Sequence, residues 1–248
     1  MRGSAGRRAR VVVPFPRPLV RVRVVSRANR FAVWARAGGR RLYLHLPNPG
    51  RMTELLRPGA AGLAHLRGGG EKRTRGVLLL VRHRGRWVGM DARLPNALCA
   101  AALRAGLLPN LRHYHRWRAE VRRGDSRFDF VGEGPRGHVV VEAKSCNLVS
   151  GGVALFPDAP TARGARHLLD LARMARRGAR AVVVWFVQRD DASVLRPYEE
   201  ADPQFARAAR AAARAGVRFY AFTCRMSPAG ATVLRRIPVR LGRVRAAR

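Results

Sequence analysis

Lysine is nearly absent from this chain. Lys72 and Lys144 are the only two, and the other 48 of its 50 basic residues are arginine. Carboxylates are scarce as well, with 15 Asp and Glu in 248 residues. Cys99, Cys146 and Cys224 are odd in number and lack C-x-x-C or histidine-partnered spacing, which argues against a disulfide framework or a zinc site. The longest strongly apolar run, Ala181 to Val187, is far too short to span a bilayer, and Pro14, Pro16 and Pro18 interrupt any signal-peptide core. These absences predict a protein of the cytoplasm with no membrane partner.

What is present is positive charge. The formal net charge of +35 calls for a polyanionic partner, and nucleic acid is the natural one. Exchange of lysine for arginine is charge-neutral, so it does not account for the shortage of acids. The first 90 residues carry 21 basic and 2 acidic residues, the remainder 29 and 13. Residues 1–18 read as a basic disordered arm and 241–248 as a basic tail.

From residue 19 to 90 short β-rich runs alternate with turn residues such as Gly38-Gly39, Pro47-Asn48-Pro49-Gly50 and Pro58-Gly59. Strands at this spacing predict a small OB-like barrel. Asn29, Arg30, Phe31, His45, Asn48 and Arg51 mix amides, an aromatic ring and guanidinium groups near its turns, which suits base stacking and phosphate contact. Phe31 as core and Asn48 as a turn former stay open beside that reading. Lys72, in the basic loop Gly68–Arg75, is at best a backbone contact.

Residues 91–240 predict a mixed α/β domain. A helix is expected over 94–107, strands over 117–121, 127–131, 138–144 and 148–155, a helix over 162–177, a strand over 179–187, a helix over 203–215 capped by Asp202-Pro203, and a strand over 217–223. Alternation along 138–144 sets Glu142 and Lys144 on one face. On the preceding strand it sets Phe128 and Phe130 on one side and Asp129 on the other. In a hairpin, Asp129 and Glu142 converge. Two such carboxylates with Glu120 upstream can hold Mg²⁺ or Mn²⁺, with Lys144 beside the metal and Gln188 near the same water or phosphate. The alternative is structural ion pairing, for example of Asp129 with Arg127. Arg163 and Arg166 sit at a helix N-terminus, where exposed N–H groups favour phosphate. His167 reads either as a phosphate or metal contact or as a partly buried histidine, and Asp158 either as a turn cap or as a metal ligand.

The Asp129 … Glu142-x-Lys144 pattern resembles the PD-(D/E)XK nuclease-like superfamily. A longer set of segments resembles the sugar fermentation stimulation protein A family: Asn29-Arg30-Phe31, His45–Met52, Ser126–Phe130, Glu142–Ser145 and Phe156–Leu168. The resemblance spans about residues 19–240. It implies an N-terminal OB-like domain, a nuclease-like C-terminal domain, DNA binding and a role in regulating sugar catabolism genes. Position by position, Asp129, Glu142 and Lys144 match the catalytic triad and Glu120 an upstream acidic position, while Ala143 stands where the family usually has valine. DNA is thus the expected partner, with RNA and a homodimer left open. The alternatives are a Mg²⁺-dependent nuclease acting on DNA or RNA, and a structural nucleic-acid-binding protein with an inert triad.

Overall fold

Between residues 19 and 89 the strands carry a charged or polar outward row and an aliphatic inward row, and the inward row closes on itself. The computed structural model describes residues 11–67, 73–124, 126–135 and 137–242. After a short strand β1 (Val12–Pro14) come β2 (Leu19–Asn29), β3 (Ala32–Ala37), β4 (Arg40–His45), β5 (Ala61–Leu66), β6 (Gly76–His83) and β7 (Arg86–Gly89). They pair in the order β4-β3-β2-β5-β6-β7, and a parallel contact of His45 in β4 with Val77 in β6 closes β2 to β6 into a five-stranded OB barrel. Val22, Val24, Val33, Ala35, Leu44, Leu78 and Val81 fill its interior.

The second domain runs α1 (Leu94–Arg104), β8 (Arg116–Arg123), β9 (Ser126–Gly134), β10 (Gly137–Cys146), β11 (Val149–Ser150), β12 (Val153–Phe156), α2 (Ala162–Arg176), β13 (Arg180–Val187), β14 (Val194–Pro197), α3 (Pro203–Arg214), β15 (Arg218–Ser227) and β16 (Gly230–Ile237). Its seven-stranded sheet has the order β1-β16-β15-β13-β10-β9-β8, with β10, β13 and β15 parallel. β13 is buried on both faces, as a central parallel strand must be. One face packs Val140, Val183 and Trp185 against Leu168 and Leu171 of α2 and Phe205 of α3. The other packs Val139, Val141, Val184 and Phe186 against Leu98 and Ala102 of α1 and against Leu63, Leu79 and Leu80 of the barrel. The barrel thus lies on one face of the sheet and shares its core.

The caps explain the helix starts. Thr161 Oγ1 accepts from the Gly164 N–H (3.1 Å), and one carboxylate, Asp202, accepts from Phe205 N–H (2.9 Å) at the start of α3 and from Thr161 N–H (2.7 Å) at the start of α2. It ties both helix N-termini together.

Several expectations need correction. Residues 11–18 are not a disordered arm: β1 pairs with β16, and Val11 and Phe15 are buried because the apolar stretch Val11-Val12-Val13-Pro14-Phe15 finishes the core. The Leu241 and Gly242 carbonyls accept from Arg210 Nη1 (3.5 Å) and Arg196 Nη1 (3.4 Å), so order extends into the proposed tail; residues 1–10 and 243–248, and 68–72 with Lys72, lie outside the described residues. The strand expected over 148–155 is a hairpin of β11 and β12, because Gly151 and Gly152 both take positive φ (54° and 77°) and turn the chain. α1 ends at Arg104, short of 107. β14 and β16 are additional strands. Phe128 and Phe130 pack on opposite faces of the sheet, so simple alternation fails at Asp129, where the ladder between β9 and β10 stops after Phe130 and Val141.

Gln188 does not reach toward water. It is fully buried where the two domains meet, donating to the Asp91 carbonyl and to Ser145 Oγ (both 2.7 Å). Beside it, Gly89 N–H donates to the Gln188 carbonyl and Asn147 Nδ2 to the Gly89 carbonyl. A Cβ on Gly89 would lie 1.9 Å from Gln188 Oε1. Gly89→Ala is therefore expected to cost about 1–3 kcal/mol through overpacking; a urea midpoint equal to that of the parent chain would show that this junction is loose.

Candidate functional site

A cleft of about 800 Å³ lies between the barrel and the sheet. Arg30, Asn48 and Gly50 line it from the barrel, Asn96 from α1, Arg127, Asp129, Glu142 and Lys144 from the sheet, and Asp158, Arg163 and His167 from the segment leading into α2 and from α2 itself. The chemistry concentrates at the end of β10. Alternation turns Val140 and Glu142 toward α2, while Val139, Val141 and Ala143 face α1 and the barrel.

Glu142 is only 3% exposed. Its Oε1 accepts from Lys144 Nζ (2.5 Å) and meets His167 Nδ1 (2.7 Å). Arg163 Nε donates to His167 Nε2 (3.4 Å), so Nε2 is the accepting nitrogen and Nδ1 carries the proton given to Glu142. Burial pushes the Glu142 carboxyl up, but Lys144 and His167 more than offset it and hold it below the usual carboxylate range. Its second oxygen, Oε2, is buried with no hydrogen-bond partner.

Asp129 approaches from β9. Its Oδ2 accepts from Ala143 N–H (2.8 Å), which sets it next to Glu142, and its Oδ1 accepts from Asn96 Nδ2 (3.0 Å). Burial, reinforced by the charge of Glu142, pushes its carboxyl up to about 6. Two adjacent carboxylates, Glu142 with an unpartnered buried oxygen and Asp129 with its proton affinity raised by burial and by Glu142, fit a hard divalent cation. Glu120 is a different matter. It pairs with Arg127 (2.9 Å) at the exposed rim and takes a left-handed backbone conformation (φ 55°), a strained choice for a non-glycine residue. Arg127 is thereby engaged with Glu120 and not with Asp129. Among the described residues no three His, Cys, Asp or Glu side chains gather as a metal cage. A cation here would be held by Asp129 and Glu142, completed by water, main chain and phosphate, as suits Mg²⁺.

The expected nucleic-acid residues divide. Arg30, Asn48 and Arg163 line the cleft; Asn29, Phe31, His45, Arg51 and Arg166 do not. Asn48 is buried and its Oδ1 accepts from Gly50 N–H, so it shapes its own turn. Asn29 likewise takes the Phe31 N–H on its side chain. Asp158 lines the cleft and bonds its own backbone N–H, and it also reaches across: its Oδ2 accepts from Met52 N–H (3.3 Å), and a Cβ on Gly50 would lie 2.4 Å from that oxygen. It fastens the barrel loop to the second domain, and burial raises its carboxyl. Asn96, which orients Asp129, was not anticipated; its only sequence signal is its place in the first turn of a helix opened by Leu94-Pro95.

Residues 25–90 match the SfsA N-terminal OB domain and residues 93–230 the Sugar fermentation stimulation protein RE domain. A sugar fermentation stimulation protein homolog of Moorella thermoacetica is 45% identical over 233 residues, 93% of this chain and 100% of the relative. The chain belongs to the sugar fermentation stimulation protein family. Another homolog, from Chloroflexus aurantiacus, is 40% identical over 90% of this chain and 86% of its own length. The solved structure of SfsA from Pyrococcus furiosus in complex with Ca²⁺ superposes with a TM-score of 0.85 at 31% identity, covering 94% of this chain and 99% of that one. The SfsA architecture is thus an OB barrel followed by an α/β RE domain, and the cleft lies between them. Among the described residues no helix is long and apolar enough to cross a membrane.

The raised Asp129 carboxyl gives this SfsA-family chain a pH signature when metal is withheld. Between its unfolded value near 3.8 and its folded value of about 6 the folded chain binds more protons than the unfolded one, so stability falls as pH rises through that window. Asp129→Asn is expected to remove this decline, at most about 3 kcal/mol. Urea unfolding in EDTA from about pH 4 to 7 checks it, and parallel curves for parent and variant would refute the raised carboxyl.

Proposed function

We propose that this SfsA-family protein binds DNA in the interdomain cleft and cleaves phosphodiester bonds there with a divalent cation, Mg²⁺ or Mn²⁺, held by Asp129 and Glu142. The observation that carries the reading is the buried, unpartnered Glu142 Oε2 beside a second carboxylate whose proton affinity is raised. A carboxylate oxygen that dry is costly to leave without a cation or a donor. The Pyrococcus furiosus relative, solved with Ca²⁺, adds support from a hard cation of the same class. When bound, such a cation supplies a Lewis acid for a phosphoryl oxygen.

The chain's own groups then divide the work. Asn96 and the Ala143 N–H hold Asp129 in orientation. His167 fixes Glu142 through Oε1 and leaves Oε2 free. Lys144 brings a compact ammonium, which approaches a water or phosphoryl oxygen end-on where a guanidinium cannot, and offsets charge developing there. Arg30 and Arg163, exposed on opposite walls of the cleft, contact the backbone phosphates.

The second reading keeps binding without cleavage, as a regulator of sugar catabolism genes in the cytoplasm; the net charge of +35 and the family's name favour it. Incubation of the protein with labelled DNA and RNA in Mg²⁺, Mn²⁺ or EDTA separates the two. Cleavage is expected in metal only, and to fall by roughly 10²–10³ in Glu142→Gln and Lys144→Ala, with binding retained. Binding without cleavage under every condition leaves the regulator. Cleavage that survives EDTA or the Glu142→Gln substitution removes the proposed site.

A further inference from the structure

The outer face of the barrel carries a row of rings and guanidinium groups that its core does not explain. In the β3–β4 ribbon, Val33, Ala35 and Leu44 point inward and are fully buried, so alternation turns Trp34 and Tyr43 outward as register partners. Their ring centroids lie 4.7 Å apart. The Arg41 guanidinium stands 4.3 Å over Trp34, and that of Arg73 lies 5.9 Å from Tyr43. One strand end further on, Phe31 is 48% exposed, with Arg30 5.5 Å over its ring. Arg30 also lines the cleft that holds Asp129, Glu142 and Lys144. Among the described residues no ion pair engages Arg30, Arg41 or Arg73.

We infer that Trp34, Tyr43 and Phe31 form a stacking track for a single-stranded polynucleotide, DNA or RNA, which Arg41, Arg73 and Arg30 hold by its backbone and deliver into the cleft. The inference rests on the cleft being a nucleic-acid site and adds the strandedness of what enters it. Rings along an exposed strand offer faces to unpaired bases, whereas the bases of a duplex are already stacked on one another. Unpaired guanidinium groups beside each ring supply the charge that an acidic backbone matches. Phe31 and Arg30 stand in the turn that leads into β3, Phe31 within about 10 Å of chain from Trp34 at ~3.3 Å per residue, and Arg30 lines the cleft as well. The strand that lies on the barrel is therefore continuous with the one that meets Lys144.

Equilibrium binding by the full-length chain tests this with labelled oligo-dT and oligo-U of about twelve nucleotides, within the range an OB barrel covers, and with a DNA duplex of equal length. Trp34→Ala and Tyr43→Ala are expected to weaken single-strand binding at least about fivefold each and to leave duplex binding unchanged. Trp34→Phe keeps a ring and is expected to restore single-strand affinity, which a mere packing role would not require; thermal melts confirm that each variant folds. A preference for dT or U names the polymer. If the parent chain binds neither strand nor duplex, the cleft reading fails and the track with it. If the parent binds and the alanine variants hold single strands as tightly as it does, or lose strand and duplex affinity together, the track alone is overturned.

Discussion

A carboxylate almost removed from water must be paired, protonated or bound to a cation, and Glu142 is that carboxylate. Lys144 and His167 both go to one of its oxygens, and the other is left without a donor. The surroundings follow from this. α2 is docked so that His167 reaches β10, Arg163 settles the histidine's tautomer from one turn away, and Asp129 is turned by a backbone N–H and an amide to face the same point. Lys144 alone would pair the charge. Both groups on one oxygen leave the other open, which is an arrangement for a ligand more than for stability.

The cleft exists because two domains are fastened at its floor. Gln188 joins the sheet to the Asp91 carbonyl, Asn147 holds Gly89, and Asp158 accepts from the loop that follows Gly50. Arg189, buried, ties Asp191 to the Asn147 carbonyl in the same layer. These polar groups take partners from the other domain or from the linking strands, although Gln188 Oε1 is left without one, and directional bonds of this kind fix one relative placement where an apolar contact would tolerate sliding. Glycines at 50 and 89 are required by proximity: a side chain at either would occupy the space of Asp158 or Gln188.

How much of this the sequence discloses depends on range. The barrel, β10, β13, α2 and α3 are legible because their signals are local: inward aliphatic rows, a continuous apolar run, Thr161 and Asp202 as caps. Lys144 stands out because lysine is so rare here. β1 and β14 escape because they are short, and β16 because its apolar residues do not alternate cleanly and Arg235-Arg236 interrupt them. The faces of Phe128 and Phe130 are misread because the Asp129 side chain takes a backbone donor of the neighbouring strand and interrupts the ladder. His167, Asn96 and Asp158 find their partners 25, 33 and 106 residues away, and nothing local in the chain reports such a contact. Glu120 lines the same cleft and shares the Asn96 amide with Asp129, and it also pairs with Arg127 at the rim, a contact its spacing does not announce.

The shared core has a consequence for how the chain comes into being. Leu63, Val77, Leu79 and Leu80 of the barrel belong to the same buried cluster as Val139, Val184 and Phe186 of the sheet, and Val11 and Phe15 join it from the N-terminal end. A ribosome that has released only the first 90 residues has therefore delivered a barrel with one greasy flank still bare, and the elements that cover it, α1, β10, β13 and β15, follow one after another along the rest of the chain. Apolar surface of the barrel stays uncovered until the second domain is made, so the two halves are poor candidates for separate life.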